Sequence, residues 1–183
     1  MQSSHNLLKN AIQLAYFAHH QQYDKAGQPY ILHPLRVMKN VSSIDAKIVA
    51  ILHDTLEDTE INQIDLHKLG LQTEHLYALL ALSKYTHESR FDVLKRTLLN
   101  PLACEVKCTD VRDNMNLLRL KSIQMQDFRR YQQYRIVYQA LMNAHEFYQR
   151  LQHNNHRSSP RVCSNQPIKT TLALAIYLAH QLQ

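Results

Sequence analysis

The sequence predicts an all-α fold, a compact single-domain helical bundle, on three observations. Apolar residues recur at helical spacing through almost the whole chain. Only two glycines, Gly27 and Gly70, are present, too few for the tight hairpins of an all-β protein. The helix formers Leu, Ala, Gln and Lys are abundant, and no segment reads as a strand. The length of 183 residues implies one domain. A domain of that size buries roughly 70% of its unfolded surface, so it needs no disulfide or structural metal to fold. The glycine shortage also excludes a dinucleotide fingerprint and a Walker-type phosphate loop.

Each element follows from local signals. Leu7, Leu8, Ile12, Ala15 and Phe17 define a first helix with Ser3 or Ser4 as N-cap. Gly27 and Pro29 break the pattern in the loop from Asp24 to Pro29. A short second helix starts near Pro34, with Leu35 and Met38 inward. Asp45 is placed to cap a third helix, Ala46 to Glu57, which is apolar on most faces and therefore central and buried. Ile61 to Leu69 and Glu74 to Lys84 are two more, separated at Gly70. Arg90 to Leu99 ends at Asn100-Pro101, a helix from Ala103 to Leu118 carries Val106, Val111 and Leu117, and Gln126 to Gln152 forms one long helix. Residues 1–152 thus form the globular domain, and 153–167 are a polar, proline-bearing loop. Residues 168–183 are an apolar helix that packs on the core or on a partner.

The formal charge is +6, with a pI near 9.3. A basic chain suits an anionic partner such as a phosphorylated small molecule. The basic residues form no run, and Arg129 to Arg135 (RRYQQYR) spreads arginine and tyrosine round a helix rather than along one face. No nucleic-acid partner is therefore expected. Cys104, Cys108 and Cys163 are an odd number at no zinc-ribbon spacing. They read as reduced thiols. No signal peptide precedes the first helix, and the longest apolar run, Leu172 to Ala179, is too short to cross a bilayer. A soluble cytoplasmic protein, monomer or homodimer, is expected, with no membrane partner.

The informative cluster is His53-Asp54 followed by Glu57-Asp58. Four ionisable groups on an apolar helix are expensive to bury unless paired or metal-bound. Helical spacing sets Glu57 and Asp58 one turn beyond His53 and Asp54. The same four residues also fit a solvated helix end. Two further segments favour a site. His33 stands at the start of the second helix, and Asp110 lies inside an apolar helix with Asn114 one turn on. Two imidazoles and two carboxylates suit Mn²⁺ or Fe²⁺ with water completing the shell, more than a closed tetrahedral zinc site.

His33, His53-Asp54 and Asp110 match the H…HD…D signature of the HD superfamily of metal-dependent phosphohydrolases. AYFAHHQQYDKAGQPYILHPLRVM, IVAILHDTLEDT and VKCTDVRDNMNLLRL resemble, in order, the hydrolase domain of RelA/SpoT-type enzymes. The closest likeness is to their free-standing small alarmone hydrolases. The resemblance covers about residues 11 to 120 and implies an HD-type helical bundle. It also implies removal of the 3′-pyrophosphate from guanosine 3′,5′-bis(diphosphate), ppGpp, using Mn²⁺ or another divalent ion.

On that resemblance His33, His53, Asp54 and Asp110 are metal ligands. Glu57 and Asp58 are the catalytic pair, and Asn114 contacts the nucleotide. Arg130 and Tyr134 match an Arg-x-x-x-Tyr pattern near the substrate, Lys25 reaches a phosphate, and Tyr23 is placed to stack on a base. The loop departs from the family at Asp24, where the family usually has an Arg packed on guanine. Weaker base discrimination is expected, and Asp24→Arg is expected to tighten guanine-nucleotide binding. The other readings are a general HD nucleotidase acting on nucleoside monophosphates and a non-catalytic nucleotide- or RNA-binding regulator. His19, His20, His67, His75, His87 and His145 are expected at the surface or partly buried.

Overall fold

A computed structural model describes residues 3–155, with side chains through Leu151. The expected 168–183 helix, Cys163 and most of the expected 153–167 loop lie outside the described residues. Among the described residues the architecture is all-α, and the only β pairing is an isolated bridge between Tyr23 and Pro29. None of the described helices is long and apolar enough to cross a membrane.

Helix α1 (Ser4–Ala18) starts at Ser3, whose Oγ accepts from the Asn6 amide at 3.4 Å. Leu7, Ala11 and Ala15 face inward, but Phe17, expected on that face, is 73% exposed. Helix α2 (Leu32–Lys39) buries His33, Pro34 and Val37. Helix α3 (Ile44–Leu52) is capped by Ser43, which accepts from the Ala46 amide at 3.0 Å. The expected cap, Asp45, instead pairs with His75 Nε2 at 3.0 Å.

Ala46 and Ile48 to Leu52 have no exposed surface, so α3 is the centre of the bundle. Helices α1 and α2, with α6 (Thr73–Leu82) and α8 (Pro101–Asn114), pack round it. Burying Ile48, Ile51 and Leu52 contributes roughly 1.5–3 kcal/mol each. That helps to offset the cost of placing His53 and Asp54 immediately after them.

The helix expected to run on to Glu57 is broken. Thr55 Oγ1 donates to the Leu52 carbonyl at 2.7 Å, and His53 Nδ1 donates to that of Ala50 at 2.8 Å. Side-chain bonds to these carbonyls compete with the main-chain ladder. A short α4 (Thr55–Asp58) resumes beyond the break. Helix α5 (Gln63–Leu69) stops at Gly70, whose φ of 92° is the left-handed cap glycine permits.

After α6, α7 (Arg90–Leu98) leads through Asn100-Pro101 into α8. Asn100 Oδ1 accepts from the Ala103 amide, so the proline sits just inside a capped start. Helix α8 stops at Asn114 rather than Leu118, and a 3₁₀ turn, Leu117–Arg119, follows under the Asn116 side chain. Helix α9 (Met125–Asn155) reaches three residues past the expected end. It packs on α8 through Ala140, Leu141 and Ala144 against Cys104, Cys108 and Val111. Burial raises both thiols, Cys104 to about 12 and Cys108 to about 11, so neither is a nucleophile near neutrality.

Candidate metal centre and cleft

Three segments bring His33, His53, Asp54 and Asp110 together. His33 is in the first turn of α2, His53 and Asp54 occupy the break after α3, and Asp110 is on the buried face of α8. His33 Nε2 lies 3.1 Å from Asp110 Oδ1 and 3.8 Å from Asp54 Oδ2. His53 Nε2 lies 3.0 Å from Asp54 Oδ2 and 3.8 Å from Asp110 Oδ1. One ligand atom from each of His33, His53 and Asp54 falls within 4.8 Å of the others, a group able to hold a metal ion.

The chemistry of His53 fits a cation. Its Nδ1 is committed to the Ala50 carbonyl, which leaves the lone pair on Nε2. That Nε2 is buried and makes no hydrogen bond among the described residues, with Asp54 Oδ2 3.0 Å away. Without a metal, a proton takes the cation's place. Burial opposes charge on His53, but Asp54 and Asp110 outweigh it and raise the imidazole to about 10. Burial likewise opposes charge on Asp54, and His53 outweighs it, lowering the carboxyl to about 2.

Neighbours orient the carboxylates. Tyr30 Oη donates to Asp54 Oδ2 at 2.6 Å, Lys107 Nζ lies 2.9 Å from Asp110 Oδ2, and Asn114 Nδ2 donates to Asp110 Oδ1 at 2.6 Å. Asn114 therefore spends one of its two amide hydrogens on Asp110 and keeps the second, with its carbonyl oxygen, for a ligand.

Glu57 and Asp58 stand on α4, one turn past Asp54, both on the exposed side. Glu57 Oε2 accepts from the Lys84 amide at 3.0 Å, which ties it to the end of α6. The Asp58 amide bonds the Asp54 carbonyl at 2.9 Å. Burial, then the charges of Asp54 and Glu57, push its carboxyl above the ordinary value.

A cleft of about 270 Å³ opens between the 23–30 loop, the 3₁₀ turn and the first half of α9, with His33 in its wall. Tyr23, Lys25, Asn114, Arg130 and Tyr134, the five residues expected to bind substrate, all line it. Asp24 does more than line it. Its Oδ1 accepts from the amides of Ala26 and Gln28, each at 2.9 Å, and its Oδ2 is 3.3 Å from Arg119 Nη1. The acid builds the loop and holds an arginine in the cleft wall, so its charge is not left free beside a bound base.

Several residues escaped the sequence reading. Arg119 and Tyr30 both line the cleft. His19 and His75 are buried at 2% exposure, a correction to the surface or partial burial expected for them. His19 Nδ1 meets Gln22 Oε1 at 2.7 Å and its ring packs 5.0 Å from that of Tyr30. The available signal was the pattern itself: His19 and Gln22 are spaced i, i+3, as are Asp110 and Asp113.

No family model matches the chain. It is 40% identical over 57 residues to the guanosine-3′,5′-bis(diphosphate) 3′-pyrophosphohydrolase of Aquifex aeolicus, a stretch that is 29% of this chain and 8% of the relative. It is 36% identical over 62 residues to the enzyme of the same name from Borreliella burgdorferi, 32% of this chain and 9% of the relative. It is 34% identical over 87 residues to a GTP pyrophosphokinase of Myxococcus xanthus, 44% of this chain and 12% of the relative. A solved structure, described as a metazoan ortholog of SpoT that hydrolyses ppGpp and plays a role in starvation responses, superposes with a TM-score of 0.61. It is 18% identical and covers 100% of this chain and 99% of its own. This chain therefore shares the all-α fold of that solved structure. The matched stretches are only 8% to 12% of the curated relatives' lengths. Over those short stretches the sequence resembles proteins named ppGpp 3′-pyrophosphohydrolases.

Proposed function

We propose that this chain is a metal-dependent 3′-pyrophosphohydrolase that converts ppGpp to GDP and pyrophosphate. We read it as a cytoplasmic monomer or homodimer that uses Mn²⁺. The observation that carries the reading is the convergence of His33, His53, Asp54 and Asp110, with His33 also in the wall of a cleft bearing Lys25, Arg119 and Arg130. The activities for which the relatives are named support the same reaction.

His33, His53, Asp54 and Asp110 would hold the ion. A bound divalent ion lowers the pKa of its water toward neutrality and offsets charge on phosphoryl oxygens. Glu57 and Asp58 orient the attacking water and take its proton. The raised carboxyl of Asp58 brings it nearer the operating pH, which favours that role. Lys25 and Arg130 neutralise the polyphosphate, Tyr23 and Tyr134 pack on the nucleoside, and the Asn114 carbonyl oxygen accepts from it. The bond broken joins the ribose 3′-oxygen to phosphorus. Water oxygen replaces the ribose oxygen on that phosphorus, the 3′-oxygen takes up a proton, and pyrophosphate leaves whole.

The test is a substrate panel in Mn²⁺ that follows pyrophosphate and orthophosphate separately. The expected outcome is GDP and pyrophosphate from ppGpp with no orthophosphate. Orthophosphate from nucleoside monophosphates, with ppGpp untouched, would replace this reading with a general HD nucleotidase.

A further inference from the structure

Asp113 lies outside the proposed ligand set and outside the cleft lining, yet three basic side chains converge on it. It follows Asp110 by three residues on α8 and so shares its face. His33 Nδ1 is 2.7 Å from Asp113 Oδ2. Arg36 on α2 clamps the same carboxylate in bidentate fashion, Nε to Oδ1 at 2.8 Å and Nη2 to Oδ2 at 3.0 Å. Arg119 Nη2 adds a bond to the Asp113 carbonyl at 3.3 Å and lies 3.8 Å from Oδ2.

A carboxylate clamped by guanidinium only accepts hydrogen bonds. His33 Nδ1 must therefore carry the proton that it donates to Asp113, which leaves the Nε2 lone pair for the opposite side. That nitrogen is the one facing Asp110 and Asp54 at 3.1 and 3.8 Å. The clamp also fixes the ring in angle, because Asp113 is itself held at both oxygens.

We propose that Asp113 is a positioning residue for the divalent-cation site, fixing the tautomer and orientation of His33, with Arg36 holding Asp113 in place. The inference rests on the reading of His33 as a metal ligand. Outer partners of this kind are worth 10–100-fold in metal affinity.

The test titrates Mn²⁺ calorimetrically into the full chain as wild type, Asp113→Asn, Asp113→Ala and Arg36→Gln. Circular dichroism and the metal-free Tm of each serve as folding controls. Asp113→Ala is expected to raise Kd by about 10- to 100-fold. Asp113→Asn keeps an acceptor and is expected to lie between it and wild type, as is Arg36→Gln, which keeps the His33–Asp113 pair. A merely structural Asp113 would lower the metal-free Tm and leave Kd alone. Should Asp113→Ala not fold, Asp113→Asn and Arg36→Gln carry the comparison. Equal Kd in wild type and all folded variants overturns the inference while the metal centre stands. No Mn²⁺ uptake by wild type overturns both.

Discussion

Loading the cluster with Mn²⁺ should raise the thermal stability of the protein by a calculable amount. The four proposed ligands come from α2, the α3–α4 break and α8, so an ion bound to them joins three separate segments of the bundle. His33, His53 and Asp110 are 5%, 3% and 3% exposed, and the unfolded chain does not assemble them. An ion that binds only the folded state at a concentration 100 times its Kd adds about 2.7 kcal/mol. For a chain of 183 residues, each kcal/mol moves Tm by about 2–4 °C, so the expected rise is about 5–11 °C. Each further tenfold in Mn²⁺ adds about 1.4 kcal/mol, or about 3–6 °C. The assay is differential scanning calorimetry of chelator-stripped protein across three decades of Mn²⁺. Asp110→Ala and His53→Ala should each flatten the response. The reasoning is refuted by a Tm that ignores Mn²⁺, or by an Asp110→Ala protein that responds as wild type does, since the ion would then bind elsewhere.

Three further outcomes follow from the same geometry. Glu57→Gln should keep the Mn²⁺ response, because Glu57 is exposed and outside the ligand cluster, while kcat falls on the order of 10² or more; loss of metal uptake would make Glu57 a ligand. Asp24→Arg should lower Tm and raise KM for ppGpp, the reverse of the expectation drawn from sequence, because it removes two loop bonds and sets a second guanidinium against Arg119; tighter binding in a nucleotide titration would restore the original reading. In chelator, urea denaturation should find stability lost as pH rises from 6.5 toward 10, because a raised histidine pKa stabilises below its unfolded value and loses that contribution as it deprotonates. The lowered Asp54 carboxyl should make stability fall again as pH drops from 3.8 toward 2, and a profile flat between pH 6.5 and 9 would count against the buried ion cluster.

What was legible in the sequence was what short-range periodicity encodes. Helix α3 is apolar all round, and such a segment has nowhere to go but the centre. Asn100-Pro101 and Gly70 marked helix ends by backbone rules that need no tertiary partner. His33, His53, Asp54 and Asp110 stood out as charge in apolar surroundings, and the fold brings each imidazole within 3.8 Å of both carboxylates. The break after Leu52 was not legible, because His53 and Thr55 each chose between a carbonyl and another partner. Histidine burial failed for a related reason. His75 is satisfied by Asp45, thirty residues away, and a pattern of i, i+3 and i, i+4 neighbours cannot see that contact.

Asp24 makes the limit concrete. Its neighbours in sequence present an acid in a substrate loop, and an isolated acid repels a polyanion. The structure places Arg119, ninety-five residues on, against that acid, a partner that its sequence neighbours do not reveal. The arginine reaches it because α8 stops at Asn114 and the chain turns back through Leu117–Arg119 rather than continuing as helix. Had α8 run on to Leu118, Arg119 would have followed the helix axis away from that turn. The end of the helix and the pairing of Asp24 with Arg119 are therefore linked. The side chains of Asn114 and Asn116 bond to Asp110 and to the Leu118 amide at the point where the helix gives way.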